Sequence, residues 1–169
     1  MKNYSTKKIV RLALFLAIGV VLNIIESMLP VLIPIPGVKL GIANTMGLIV
    51  LYYYGPKEYT LIGFLRVFLV ALLRTGIGSI AFLFSLSGWL LSTIFVLIVY
   101  SMKKVSIYGL SMSSAVMHGV GQIIMVVAIY SLPEMINYLP ILIISGLISG
   151  NVLALLCSEL FKKLDKVMR

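Results

Sequence analysis

The chain reads as long apolar runs interrupted by short clusters of Gly, Pro, Ser and Lys. Six runs qualify as membrane helices, over about 9–29, 41–54, 59–79, 80–100, 108–132 and 138–161. A helix needs roughly 20 residues to cross the hydrocarbon core. The second run falls short of that, so five crossings with one re-entrant segment is the alternative to six.

Charge separates the two arrangements. With six crossings and the N-terminus cytoplasmic, the cytoplasmic side receives Lys2, Lys7, Lys8, Arg11, Lys57, Lys103, Lys104, Lys162, Lys163, Lys166 and Arg169, while the opposite loops receive only Lys39. If the second run failed to cross, Lys103, Lys104 and the basic tail would fall outside, against the positive-inside tendency. The expectation is an all-α integral membrane protein of six transmembrane helices, with N- and C-termini cytoplasmic and a single domain over residues 1–169.

Composition agrees and removes several function classes. At 61% hydrophobic and 11% charged residues, with a mean hydropathy of +1.14, the chain lies far from the ~45–50% apolar and ~25% charged content of soluble domains. The first run does not read as a cleavable signal, because it is long, contains Glu26 and is followed by further runs of the same kind. The net charge of +9 is accounted for by topology and anionic-lipid contacts, so no nucleic-acid partner is expected. A lone cysteine, Cys157, excludes an internal disulfide and a Cys-rich metal site.

Polar residues inside the runs are the candidates for chemistry, since an ionisable group there costs about 2.5–3.5 kcal/mol and faces the bundle interior or a water-filled cavity. Asn23, Glu26, Lys39, Asn44 and Arg74 fall in the outer half of the membrane or at its outer surface, with Arg66, His118, Gln122 and Asn151 beneath them. Asn23 and Glu26 are three apart; Ser114, His118 and Gln122 step by four; Arg66 and Arg74 are eight apart. At about 100° per residue, each set can face one interior. Together they would line a pocket open to the outside. A structural role is the alternative, with Glu26 neutralising an arginine and the amides or His118 bonding a neighbouring helix. Three cations against one carboxylate favour a small anionic ligand, for which arginine forks suit carboxylate or phosphate.

The stretch IPIPGVKLGIAN, Ile33 to Asn44, is the first outward connection. Pro34 and Pro36 stiffen it, Gly37 and Gly41 permit tight turns, and Lys39 would sit at the pocket mouth beside the positive end of the helix beginning near Gly41 or Ile42. A stiff hairpin with Lys39 reaching headgroups is the plainer reading. Trp89 could stack on a ligand ring or simply pack. Small residues four apart let a second helix approach closely. Ala13 and Ala17 form such a pair near the cytoplasmic end of the first helix, and Gly146 and Gly150 form another.

The segments LFLAIGVVLNIIES, IPIPGVKLGIANTMGL, FLRVFLVALLRTG, FLFSLSGWLLS and AVMHGVGQ together resemble the Gx transporter family, also called heptaprenyl diphosphate synthase component I. That family is similar to the substrate-binding S components of energy-coupling factor (ECF) transporters. Where it usually shows His-Asn, this chain has His118-Gly119, which removes a polar side chain at 119. The resemblance implies an ECF S-component-like bundle, a ligand site near the outer surface gated by the first loop, and docking of Ala13 and Ala17 on an ECF T subunit that works with two ATPase subunits.

Catalysis by the chain itself is not expected. A prenyl diphosphate synthase needs aspartate clusters for magnesium, and the only aspartate is Asp165. No phosphate-binding Gly-x-x-x-x-Gly-Lys loop occurs, and one histidine with scattered carboxylates makes no metal site. No cofactor is expected. The reading is a substrate-binding subunit of an ECF-type importer in the cell membrane, taking a vitamin-like or precursor anion. The alternatives are a non-catalytic accessory protein of isoprenoid or quinone biosynthesis, or a solitary carrier coupling protons through Glu26 or His118.

Overall fold

A computed structural model describes residues 5–28 and 41–168, and every described element is helical. The order is α1 (Thr6–Met28), α2 (Ile42–Tyr54), α3 (Pro56–Val70) continuing as a π turn (Ala71–Thr75), α4 (Ile80–Ser101), α5 (Ile107–Tyr130), a 3-10 turn (Pro133–Tyr138) and α6 (Leu139–Met168). Lys39 and most of the first connection lie outside the described residues.

Local chemistry sets the boundaries. Gly55, at φ +94°, ends α2, and Pro56 opens α3 where its missing N–H has no intrahelical partner to lose. Ser79 caps α4 by accepting from Phe82 N at 3.1 Å. The third run was expected over 59–79, but the helix starts at Pro56 and stops at Thr75. Gly76 and Gly78, both at φ +85°, turn the chain there. The sixth run extends past its expected end at 161 to Met168, because nothing in the Lys- and Leu-rich tail breaks a helix.

Among the described residues, four helical stretches are long and apolar enough to cross a membrane: α1, α4, α5 and the stretch containing α6. Their exposed faces are oily, with Leu14 and Val21 on α1, Leu90 and Ile94 on α4, and Ile144 and Ile148 on α6 all open. The 13 residues of α2 span only about 20 Å at 1.5 Å per residue. Its central position explains the apolar run from Leu48 to Leu51. Leu48, Ile49, Val50 and Leu51 are at most 1% exposed, enclosed by α1, α3, α5 and α6.

On the other side of the bundle, glycines hold α4, α5 and α6 together. A Cβ on Gly121 of α5 would lie 2.6 Å from Ser87 O of α4, and one on Gly150 of α6 would lie 2.6 Å from Met112 Cα of α5. The Gly146/Gly150 pair is therefore an internal α5–α6 seam.

The rods alternate in direction, so the ends of the bundle differ. One end carries the start of α1 and the end of α6. There Lys8 Nζ meets Glu58 Oε1 at 2.5 Å and lies 5.7 Å from the Tyr54 ring. Tyr53 OH donates to Asp165 Oδ1 at 2.6 Å, and Tyr52 stacks on Phe161 at 4.4 Å. Beneath them, Leu12, Phe15, Ile49, Val50 and Ile62 pack into an apolar plug. The opposite end is hollow.

Candidate functional site

At the end carrying Glu26, six helices and the two short turns surround a cavity of about 260 Å3. Of the sequence candidates, Asn23, Glu26, Asn44, Arg66, Arg74, His118 and Gln122 line it. Asn151 does not. It is exposed on α6, whose cavity face is Leu142, Ser145, Gly146 and Ser149. Asn151 lies two residues beyond Ser149, about 200° around the helix, and so points away. This corrects its placement beneath the pocket. Trp89 also stays off the cavity: it packs on Gly63 and the Phe64 ring at 5.7 Å.

Arg66 is buried on α3 and reaches across to the start of α2. Its Nη1 donates to Ala43 O at 2.5 Å and its Nη2 to Asn44 Oδ1 at 2.8 Å. Both ends of the fork are thus committed to holding α2. The amide of Gly41, the residue preceding α2, donates to Glu26 Oε1. The positive end of α2 accordingly holds the protein's own carboxylate, where the sequence pointed to a ligand anion. Gly41 sits at φ +76°, a geometry that glycine adopts without strain.

Arg74 is a different kind of arginine. It is exposed in the π turn, and its one described hydrogen bond is a 3.4 Å contact from Nη2 to Ser27 O. The wider i→i+5 turn rotates each residue by less than about 100°, bringing Arg74 closer to the phase of Arg66 than a regular helix would. Nothing in the sequence signals that turn.

On α5, the four-residue step is retained as a descending polar row. Gln122 Nε2 lies 3.4 Å from His118 Nε2, and Ser114 hydrogen-bonds Ser92 at 2.9 Å. Gln122 is 8% exposed and its Oε1 has no partner. Arg66, Asn44 and His118 separate the cavity from a void of about 20 Å3 that adjoins Tyr59, Ser92 and Ser114. They are the cavity floor. The walls between floor and rim combine apolar Val67, Val70, Phe82, Ile123 and Val126 with the hydroxyl side chains of Ser85, Ser145 and Ser149. Sequence reasoning missed these walls, since apolar residues are everywhere in such a chain.

Far from the cavity, Ala13 and Ala17 are exposed on α1, opposite its buried Leu12, Phe15, Gly19 and Val20.

An apolar helical bundle with a polar-lined hollow at one end defines a membrane protein with a small-molecule-sized site. The family model for heptaprenyl diphosphate synthase component I matches residues 15–160, and the chain belongs to that family. No curated protein and no solved structure matches it.

Proposed function

We propose that the chain is a membrane-embedded binding subunit, of the S type found in ECF importers, which captures a small anionic solute from outside the cell. In this reading the six helical rods all cross the bilayer, with α2 and α3 completing the four longer spans. Both termini are cytoplasmic and the cavity opens outward, which agrees with the distribution of lysine and arginine. The observation that carries the proposal is the contrast between a cavity of about 260 Å3 lined by ionisable and amide groups and the apolar plug at the other end. Such a site can hold a solute but offers it no open path. Release inward then requires movement driven by partners. The exposed Ala13/Ala17 stripe is the surface on which a T subunit, joined to two ATPase subunits, would dock.

The family name supports a second reading, a non-catalytic membrane accessory of a prenyl diphosphate synthase. Co-purification separates the two. The protein is expressed with ECF T and ATPase subunits and, separately, with a soluble prenyl synthase subunit. Stable association with the ECF module, lost in Ala13→Leu and Ala17→Leu, supports the importer. Association with the synthase subunit alone supports the accessory. Native mass spectrometry of the protein from its own membranes should also show a bound small anion, whose occupancy falls in Arg74→Ala; one lost charge-assisted bond weakens binding by about 1.5–3 kcal/mol.

A further inference from the structure

We infer that the cavity accepts a compact, singly charged anion of about ten to twelve non-hydrogen atoms, with a hydrogen-bonding group at the end opposite its charge, and excludes polyprenyl diphosphates. This specifies the solute of the binding role proposed above and rests on that role.

Size sets the first limit. A cavity of roughly 150 Å3 takes up benzene, and drug-sized ligands fill roughly 300–1,000 Å3. The volume here is about 260 Å3, which falls between the two. A chain built from seven five-carbon units cannot be enclosed in it.

Charge sets the second. Two arginines line the cavity, but Arg66 has both Nη atoms on the α2 segment. Among the described residues, Arg74 is the lining cation whose fork remains largely open. Glu26 lines the same cavity and opposes a second negative charge. Arg66, bonded only to neutral oxygens, keeps its charge, so the two arginines and Glu26 leave one net positive charge, which matches a single carboxylate or a monoanion, not the multiple charges of a diphosphate.

Polarity sets the third. The mouth is marked by exposed Arg74, and the depth by buried Gln122 with its unpartnered Oε1. A turn of the Gln122 amide would present that oxygen to a ligand hydroxyl or amine and relieve an unsatisfied buried acceptor, a difference of about tenfold or more in affinity. Val67, Val70, Phe82 and Ile123 line the cavity with apolar surface suited to a ring or short branched body.

The test uses the protein in nanodiscs of neutral lipid, titrated calorimetrically with 4-hydroxybenzoate, benzoate, phenol and farnesyl diphosphate. The expected order places 4-hydroxybenzoate about tenfold above benzoate, with phenol and farnesyl diphosphate weaker than both. Gln122→Met and Gln122→Leu should bring the two carboxylates within about twofold, while Arg74→Ala weakens both and keeps their ratio. Tighter binding of farnesyl diphosphate, or a native ratio near one, overturns the assignment and leaves the binding role standing. If none of the four binds, the molecule released from protein purified from its own membranes decides: a compact monoanion supports the assignment, and a larger or multiply charged one overturns it. Release of nothing, together with no binding, removes the binding role itself.

Discussion

The two ends of this bundle are made from similar residues and treat them differently. At the Lys8 end, Lys8 pairs with Glu58 and Tyr53 with Asp165, while the buried Tyr54 hydroxyl has no hydrogen-bond partner. At the Glu26 end, Gln122 has an unpartnered oxygen, and Arg74 has a single long contact to a carbonyl. A buried polar atom without a partner destabilises a fold by about 1–3 kcal/mol. What separates the ends is the cavity: Gln122 and Arg74 line it, so in the proposed binding role a ligand can complete them, whereas Tyr54 does not line it.

The largest disturbance should come from the seam both ends share. Gly121→Leu would drive a side chain into Ser87 O and Gly88 Cα, at 2.6 and 2.9 Å from the new Cβ, where the neighbour is backbone and cannot turn aside. A loss of about 3 kcal/mol is expected, read as a lowered unfolding midpoint in detergent together with loss of bound solute. A midpoint near that of the native protein would mean that α4 and α5 are not held at this spacing.

Next comes Arg66→Lys, which keeps the charge but cannot reach Ala43 O and Asn44 Oδ1 together. Leaving one acceptor unpaired should lower stability by about 1.5–3 kcal/mol. If Arg66 instead served mainly to bind solute, stability would hold and only affinity would fall. Lys8→Met tests the anchored end. It removes one partner of Glu58, whose side chain is 10% exposed, and the contact with Tyr54. A stability loss of about 1–2 kcal/mol is expected with solute affinity unchanged, because the apolar plug stands between that pair and the cavity.

How much of this was legible beforehand depends on the residue. The helices follow from apolar runs, and the step of four through Ser114, His118 and Gln122 put that row on one face because helical phase is local information. Asn151 misleads for the same reason in reverse: its polarity carries no information about which side of α6 faces inward. The division of labour between Arg66 and Arg74 could not be read at all. It depends on where α2 starts relative to α3 and on a π turn, both products of tertiary packing. The packing of α2 likewise explains why a run too short by length alone is nonetheless the most buried helix of the bundle.

The smallest effect in the series is also the sharpest comparison, because its sign should differ between the ends. Tyr53→Phe removes a hydroxyl bonded to a carboxylate and should destabilise the solute-free protein by about 0.5–1.5 kcal/mol. Gln122→Met removes an amide whose oxygen is unpartnered and whose nitrogen has only a 3.4 Å contact to His118, and replaces it with a side chain of similar size. With no solute present, that change should be neutral or stabilising by up to about 1 kcal/mol, since a buried acceptor without a partner is exchanged for an apolar group. Paired thermal unfolding of the two variants, stripped of bound molecules, checks the signs. Should Gln122→Met lose as much stability as Tyr53→Phe, Gln122 is a satisfied structural residue, and the cavity end is no less complete than the anchored one.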